Sequence, residues 1–316
     1  MRDAFIRQLA GLAKDDARIV LLTGDLGFGV FDEYRRILPE QFINVGVAEQ
    51  NLAAVATGMA LEGHIAFTYS IANFPTLRCL EQLRNDACYH GANVKTVAIG
   101  GGFSYGNLGF SHHATEDLAI LRSLPGMTVV APADLWEVEQ ATIALTLASG
   151  SAYLRLDKSN AGRTDRPGER FELGKARCLR EGDAMTLVGC GGIVAELLAA
   201  STALSREGIE CKVISHHTIS QVDHEAIASA AAGTGGIVTV EEHTVTGGLG
   251  GAIAEWCLES GVLPRRFRRI GLRDEFATVV GSQDYLRKRY AMGADAIANT
   301  VRAMLGATIL SQRLTV

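Results

Sequence analysis

The sequence predicts an α/β protein of two three-layer α/β/α domains, the first with a parallel sheet between its helices. Its 316 residues are enough for two domains of ordinary size, and 47% of them are apolar, which is sufficient for two cores. Short β-branched runs alternate with longer segments whose apolar residues have helical spacing, a pattern typical of βαβ units. The 35 glycines suit the tight turns between such elements.

In the first half, four short apolar runs are predicted to be buried strands: 19–22, 42–45, 94–99 and 127–130. The predicted helices of this half, chosen for their amphipathic spacing, are 50–61, 75–89 and 134–148. Because parallel sheets bind ligands beyond the carboxyl ends of their strands, we expect the chemistry to lie in the loops that follow the first strands. These loops are 24–30, 46–49 and 100–113.

A polar, turn-rich stretch at 157–175 interrupts the alternation and is typical of an interdomain linker. We therefore predict a first domain over 1–160, a linker over 161–175 and a second domain over 176–316. The strands predicted in the second domain are 185–188, 210–214 and 236–240, and its helices are 193–205, 223–231 and 250–260. The tail after Gly306 receives no predicted element.

Net charge, apolar stretches and cysteine spacing indicate which partners and which cellular environment the chain has. The net charge of −5 gives no electrostatic reason to expect nucleic acid or an anionic membrane as a partner. No stretch reaches the roughly 20 apolar residues of a membrane span, and the N-terminus lacks the apolar core of a signal peptide. The six cysteines are scattered without a Cys-x-x-Cys pair, which favours free thiols in a reducing cytoplasm.

One carboxylate stands out at the start of a predicted helix. Residues 44–51 (Asn-Val-Gly-Val-Ala-Glu-Gln-Asn) place Glu49 where a short strand gives way to an Ala-rich helix. A helix N-terminus favours negative charge, so position alone also fits a carboxylate that merely occupies the first helical turn.

Two imidazoles end the glycine-rich loop 100–113. Residues 109–113 read Gly-Phe-Ser-His-His, with His112 and His113 at a strand-to-helix turn where a packed or capping histidine is also common. Neighbouring histidines rarely share one ion, and no further ligand residue has the required spacing, so no metal site is predicted on this chain.

Taken together, these two segments resemble the pyrimidine-binding half of thiamine-diphosphate enzymes of the transketolase family. The resemblance covers residues 3–305 in the family order, a pyrimidine-binding domain and then a transketolase C-terminal-type domain. It implies that Glu49 hydrogen-bonds the aminopyrimidine and activates thiamine diphosphate. It also implies that His112 donates a hydrogen bond to the substrate oxygen, with His113 as a second catalytic candidate. Phe110 and Ser111 depart from the Pro and Thr usual in the family.

The resemblance also implies the surroundings of the cofactor. Phe74 is the candidate to stack on the aminopyrimidine, with Tyr69 as the alternative. Arg78 continues a pattern shared with split transketolases and is counted with the cofactor-binding residues. Asp25 is expected at the subunit interface beside the cofactor. Arg155 is expected either to hold a substrate phosphate or to form a structural ion pair across the domain junction.

A second glycine-rich turn lies in the C-terminal half, where Glu-Glu-His at 241–243 precedes Gly-Gly-Leu-Gly at 247–250. Its glycine spacing does not fit a dinucleotide-binding fingerprint. The same motif recurs in the C-terminal domain of transketolases, where it is chiefly structural and lies at the dimer contact. His243 is a candidate for a contact at the rim of the active site.

The chain lacks the Gly-Asp-Gly segment with a downstream Asn by which the family holds Mg²⁺ and the diphosphate. The resemblance therefore implies a split transketolase whose separate N-terminal subunit supplies those ligands, most simply in a heterotetramer with two copies of each chain. The implied reaction transfers a two-carbon ketol unit from a ketose phosphate to an aldehyde acceptor.

Three alternatives remain open from the sequence. A β subunit of a 2-oxo acid dehydrogenase shares the domain order and the glutamate, and a hybrid enzyme would deliver a two-carbon unit to a lipoyl or carrier-protein arm. The other alternative is a scaffold subunit without catalysis. Consumption of a ketose phosphate rather than a 2-oxo acid separates a transketolase from a dehydrogenase β subunit. A loss of turnover in Glu49→Gln argues against the scaffold.

Overall fold

The computed structural model describes residues 1–27, 29–158 and 161–313, so the predicted domain boundary at residue 160 lies outside the described residues. The strands of the first domain are β1 (Ile19–Thr23), β2 (Phe42–Asn44), β3 (Ile65–Ile71), β4 (Val94–Ile99), β5 (Thr128–Val130) and β6 (Ala152–Leu156). Its helices are α1 (Arg2–Asp15), α2 (Asp32–Ile37), α3 (Glu49–Leu61), α4 (Leu80–Gln82), α5 (Asp117–Arg122) and α6 (Leu135–Leu147). The strands form one parallel sheet in the order β2-β1-β3-β4-β6-β5, which confirms the predicted parallel α/β domain.

Side chains of β1 show how helices cover both faces of this sheet. Ile19 and Leu21 are buried in a core that includes residues of α1 and α6. Val20 and Leu22 are buried in a second core that includes residues of α3. Successive side chains of a strand point to opposite faces, so the unbroken apolar run of β1 is what a strand buried on both faces requires.

The second domain is built in the same way. Its strands are β7 (Arg177–Arg180), β8 (Met185–Gly189), β9 (Cys211–Ser215), β10 (Ile237–Thr244) and β11 (Phe267–Leu272). Its helices are α7 (Val194–Ser205), α8 (His224–Gly233), α9 (Leu249–Ser260), α10 (Gln283–Arg289) and α11 (Ala294–Arg313). The sheet order is β11-β10-β8-β9-β7, with β7 antiparallel to β9 and the other neighbours parallel.

The structure contains several elements that were not predicted, and two segments differ from their predicted description. The predicted helix 75–89 is instead a run of turns followed by the short α4 and a π-helix at Leu83–Cys88. Tyr69 lies inside β3, which is not among the four strands predicted for this domain. The helix α11 continues through Gly306, where no element was predicted.

Within the described ranges, no helix is long and apolar enough to cross a membrane. The same ranges contain no group of three or more His, Cys, Asp or Glu side chains arranged to hold a metal ion. All six cysteines are free.

Candidate active site

The loops that follow β1, β2, β3 and β4 meet at one edge of the first sheet, because these strands are neighbours and run in parallel. Asn44 joins the first two loops. Its Oδ1 accepts hydrogen bonds from the backbone N–H groups of Asp25 and Gly46, each at 3.0 Å, and its Nδ2 donates to the Asp25 carboxylate at 3.1 Å. Asp25 is exposed, which places it at the margin of this edge. Its backbone has a positive φ of 59°.

Glu49 is the first residue of α3, and only 7% of its surface is exposed. Its Oε1 lies 3.0 Å from Nη1 of Arg78, which comes from the loop after β3. The Arg78 guanidinium also lies 4.1 Å from the centre of the Phe74 ring, a cation–π arrangement. One guanidinium therefore joins the carboxylate and the aromatic ring that the sequence assigned to the cofactor.

The two histidines have different environments. The His112 ring is half-buried, lies 5.3 Å from the Phe74 ring and has Nδ1 at 3.1 Å from the Ser111 hydroxyl. His113 is 2% exposed, with Nε2 at 3.4 Å from the Gly106 carbonyl oxygen and no partner for Nδ1 among the described residues. Burial lowers the pKa of His113 below its ordinary value of 6.5, which keeps this imidazole neutral at pH 7.

Asn73 is a site residue that the sequence analysis missed. Its Nδ2 donates to the carbonyl oxygens of Ser111, at 3.4 Å, and of His113. The loop after β3 thereby holds the segment that carries both histidines. No motif marks an asparagine for this role, and its position just after a strand is the one sequence signal that was present.

These loops enclose a pocket of about 300 Å³ together with a segment of the second domain. It is lined by Asn73, Phe74, Leu77, Arg78, Phe110, Ser111, His113, Thr115, Glu116, Phe276 and Ala277. A pocket of about 460 Å³ adjoins it, since Arg78 also lines this second space beside Glu49. The contribution of Phe276, whose ring centre lies 6.4 Å from that of Phe110, was not predicted.

A larger groove of about 710 Å³ lies between β11 and α11. Its lining is rich in arginine but includes none of the residues that the sequence assigned to the site. We therefore place the candidate active site at the smaller pockets, where the carboxylate, the aromatic ring and one of the histidines converge.

The structure corrects the proposal that Tyr69 is an alternative stacking residue. Tyr69 is 2% exposed, and the centre of its ring lies 4.9 Å from that of Phe31 in the core beneath α1 and α6. Side-chain alternation along β3 directs it to this face of the sheet. Phe74 is the one of the two candidates that lines the pocket.

Arg155 lies at the domain junction rather than in a pocket. The Arg155 side chain is 1% exposed, and its Nε lies 3.0 Å from the Asp117 carboxylate. Its Nη2 donates to the carbonyl oxygens of Ala114, at 2.7 Å, and of Glu242, at 2.9 Å. This leaves no guanidinium surface for a phosphate, so the contacts support a structural role for Arg155. The ion pair with Asp117 lies within the first domain, and the hydrogen bond to Glu242 crosses the junction.

His243 is also buried at this junction, with no exposed surface. Its Nδ1 lies 2.7 Å from the Thr244 carbonyl oxygen, and its Nε2 accepts a hydrogen bond of 3.4 Å from the Ala119 N–H. The expected contact at the rim of the active site is therefore replaced by packing of β10 against α5.

Comparisons with known proteins concern the family and the fold of the chain. Residues 1–163 match the family described as "Transketolase, pyrimidine binding domain", and residues 174–297 match "Transketolase, C-terminal domain". The chain is 38% identical over 298 residues to a 6-deoxy-6-sulfo-D-fructose transketolase subunit of Clostridium sp. (strain MSTE9), covering 94% of this chain and 92% of the relative. It is 34% identical over 301 residues to an apulose-4-phosphate transketolase subunit of Phocaeicola vulgatus, covering 95% of each.

Solved structures give the same result. A protein described as "Split gene transketolase, inactive beta4 tetramer" superposes with a TM-score of 0.86 and 34% identity, covering 96% of this chain and 97% of that one. The transketolase of Campylobacter jejuni superposes with a TM-score of 0.81 at 19% identity, covering 96% of this chain and 46% of that chain. At that identity the second likeness concerns the fold alone.

Proposed function

The chain belongs to the transketolase family, and from this premise we propose that it is the subunit of a split transketolase that carries the pyrimidine-binding and C-terminal domains. The proposed reaction transfers a two-carbon ketol unit from a ketose phosphate to an aldehyde acceptor. The observation that carries the proposal is the convergence of Glu49, Phe74 and His112 at one edge of the first sheet.

The side chains at this edge fit the pyrimidine half of thiamine diphosphate. Glu49 is a buried carboxylate at a helix N-terminus that borders an open pocket, and Phe74 offers an aromatic ring. Nδ1 of His113 has no partner in the part of the chain that the structure describes. When bound, thiamine diphosphate supplies the carbon nucleophile that carries the two-carbon unit. Glu49 would share a proton with the ring nitrogen, and His112 would donate a hydrogen bond to the substrate oxygen as charge develops on it.

We propose that a separate N-terminal subunit holds Mg²⁺ and the diphosphate, in a cytoplasmic heterotetramer with two copies of each chain. Exposed apolar side chains around the pockets support a covering partner. Val47, Leu108, Phe110 and Phe276 are 75%, 55%, 67% and 70% exposed, respectively. The solved relative described as an inactive tetramer of β chains also supports a need for a second subunit.

Calorimetry with thiamine diphosphate and Mg²⁺ tests the proposal, first with this chain alone and then with the candidate N-terminal subunit. We expect tight binding only when both subunits are present, because each subunit would hold a different half of the cofactor. Tight binding by the isolated chain would overturn the split-site proposal, and so would a verified complex that binds no cofactor.

Substrate class needs a second assay. The two relatives above are named for a sulfonated ketose and for a phosphorylated sugar, which supports a sugar with an anionic end as the donor. We expect the complex to consume a ketose phosphate and to release a shortened aldose phosphate. Turnover of a 2-oxo acid without turnover of any ketose phosphate would instead favour the dehydrogenase-type subunit or a route to a carrier protein.

A further inference from the structure

A buried carboxylate of the second domain contacts the base of the loop that carries the two histidines. Glu242 lies on β10 and is 3% exposed. Its Oε1 accepts a hydrogen bond from the backbone N–H of Phe103, 139 residues away in sequence. Gly102 allows this approach, because a Cβ atom at that position would lie 2.4 Å from Oε1 of Glu242. The φ of +59° at Gly102 is a second reason for glycine there.

Side chains of α10 fix the position of this carboxylate. Gln283 donates from Nε2 to Oε1 of Glu242 at 2.9 Å, and Arg287 forms an ion pair with Oε2. Gln283 also donates to the Ser104 hydroxyl at 3.2 Å. The second domain therefore holds residues 102–104 through a connected network, in which ionised partners make the hydrogen bonds stronger than neutral ones.

The held segment leads directly to the histidines. Gly102 and Ala114 exchange backbone hydrogen bonds of 3.0 and 2.9 Å, which close the loop between them. The Phe103 ring is fully buried, and its centre lies 5.4 Å from that of the His113 ring. The Phe103 ring also stacks on Tyr290 of the second domain, with 5.6 Å between the ring centres. A shift at Phe103 would therefore move the packing surface of His113.

We propose that Glu242 is a positioning residue, which holds the loop between Gly102 and Ala114 and so fixes His112 and His113 relative to Glu49. Its catalytic consequence rests on the proposed function, whereas its effect on the loop does not. Glu242 does not line the pockets that contain Glu49 and His113, so it acts through the loop and not on a substrate.

The neighbouring residue provides a matched control. Glu241 is also buried, but it accepts hydrogen bonds from the N–H groups of Leu249 and Gly250, at 2.8 and 3.0 Å, within the second domain. Loss of either carboxylate therefore removes a buried acceptor from β10. The Glu242 carboxylate contacts the loop that carries the histidines, whereas these hydrogen bonds of Glu241 stay within the second domain.

The first test is hydrogen exchange on the whole chain. In Glu242→Ala we expect the Phe103 amide to exchange at least about tenfold faster than in the wild type, because its acceptor is gone. Glu242→Gln keeps one acceptor oxygen and should recover part of the protection. Glu241→Ala should leave the Phe103 amide protected. Unchanged exchange in Glu242→Ala, or equal acceleration in Glu241→Ala, overturns the proposal.

The second test uses the reconstituted complex. We expect Glu242→Ala to lower kcat by about tenfold, with a smaller change in the affinity for thiamine diphosphate, because misplaced histidines act after the cofactor binds. If Glu242→Ala does not fold, Gln283→Ala is the second variant, because the Gln283 side chain is partly exposed. It removes the hydrogen bond to Ser104 and should accelerate amide exchange in residues 102–104. Absence of transketolase activity in the wild-type complex would refute the proposed function, and the exchange result would still decide the role of Glu242.

Discussion

The contact between Glu49 and Arg78 is the most informative feature at the residue scale. A carboxylate that is 7% exposed needs a partner, and Arg78 supplies one while its guanidinium also covers the Phe74 ring. Arg78 therefore determines how both proposed cofactor contacts are presented. This follows from geometry that the sequence did not contain, since residues 29 positions apart come together through two different loops.

We expect Arg78→Met to weaken thiamine-diphosphate binding by the complex by about tenfold, because Glu49 loses the charged hydrogen bond that orients it. Arg78→Lys keeps the charge but loses the flat guanidinium above Phe74, so its affinity should lie between those of Arg78→Met and the wild type. Calorimetry measures both variants. Wild-type affinity in Arg78→Met would show that Glu49 does not depend on this partner.

Glu49→Gln tests the carboxylate itself. The amide has the same size but cannot share a proton with the cofactor, so we expect kcat to fall by at least about 100-fold while the fold is retained. Circular dichroism and thermal unfolding check the fold, and a ketose-phosphate assay of the complex measures turnover. Near-wild-type turnover would remove Glu49 from the proposed mechanism.

Single residues also show where sequence reasoning ended. Glu49 and His112 were found because each lies in a short motif at a strand end. Phe74 was preferred, but Tyr69 stayed as the alternative because the sequence does not show where β3 ends, and a shift of one residue reverses the face of every side chain in a strand. The role of Arg155 was undecided because Glu242, which completes its burial, belongs to the other domain.

At the scale of elements, the site depends on two loops that hold each other. The loop after β4 contains two short 3₁₀-helices, Gly106–Leu108 and Phe110–His112, and Asn73 from the loop after β3 bonds to its end. The helix predicted at 75–89 does not form there; turns replace it up to α4. Turns, and not a regular helix, place Phe74 and Arg78 beside the pocket.

We expect Asn73→Ala to lower kcat by about tenfold, because the carbonyl oxygens of Ser111 and His113 lose their donor and the histidines lose their fixed position. Thermal stability should change little, since the Asn73 side chain is only half-buried. Leu77→Ala is the control, because Leu77 lines the same pocket and is 47% exposed without holding the loop. A loss of turnover in Leu77→Ala equal to that in Asn73→Ala would contradict the positioning role of Asn73.

At the scale of the whole molecule, a buried polar network joins the two domains. Asp117 of α5 is buried, accepts a hydrogen bond of 2.6 Å from the Tyr153 hydroxyl and pairs with Arg155 of β6. Arg155 in turn donates to the Glu242 backbone. Sequence patterns predicted both sheets because apolar periodicity is local. The network joins residues that are far apart in sequence, so no sequence periodicity predicts it.

The network gives opposite expectations for the two roles of Arg155. If Arg155 is structural, Arg155→Met leaves Asp117 buried without its cation, which should lower the free energy of unfolding by about 3–5 kcal/mol. The double variant Arg155→Met with Asp117→Asn should recover part of this loss, because the uncompensated charge is removed as well. Urea unfolding measures both, and the KM for the ketose phosphate should change little in any variant that assembles. A KM raised by more than about tenfold at unchanged stability would restore the phosphate-binding role and place the sugar phosphate at the domain junction, because a lost bidentate guanidinium contact acts on binding and not on folding.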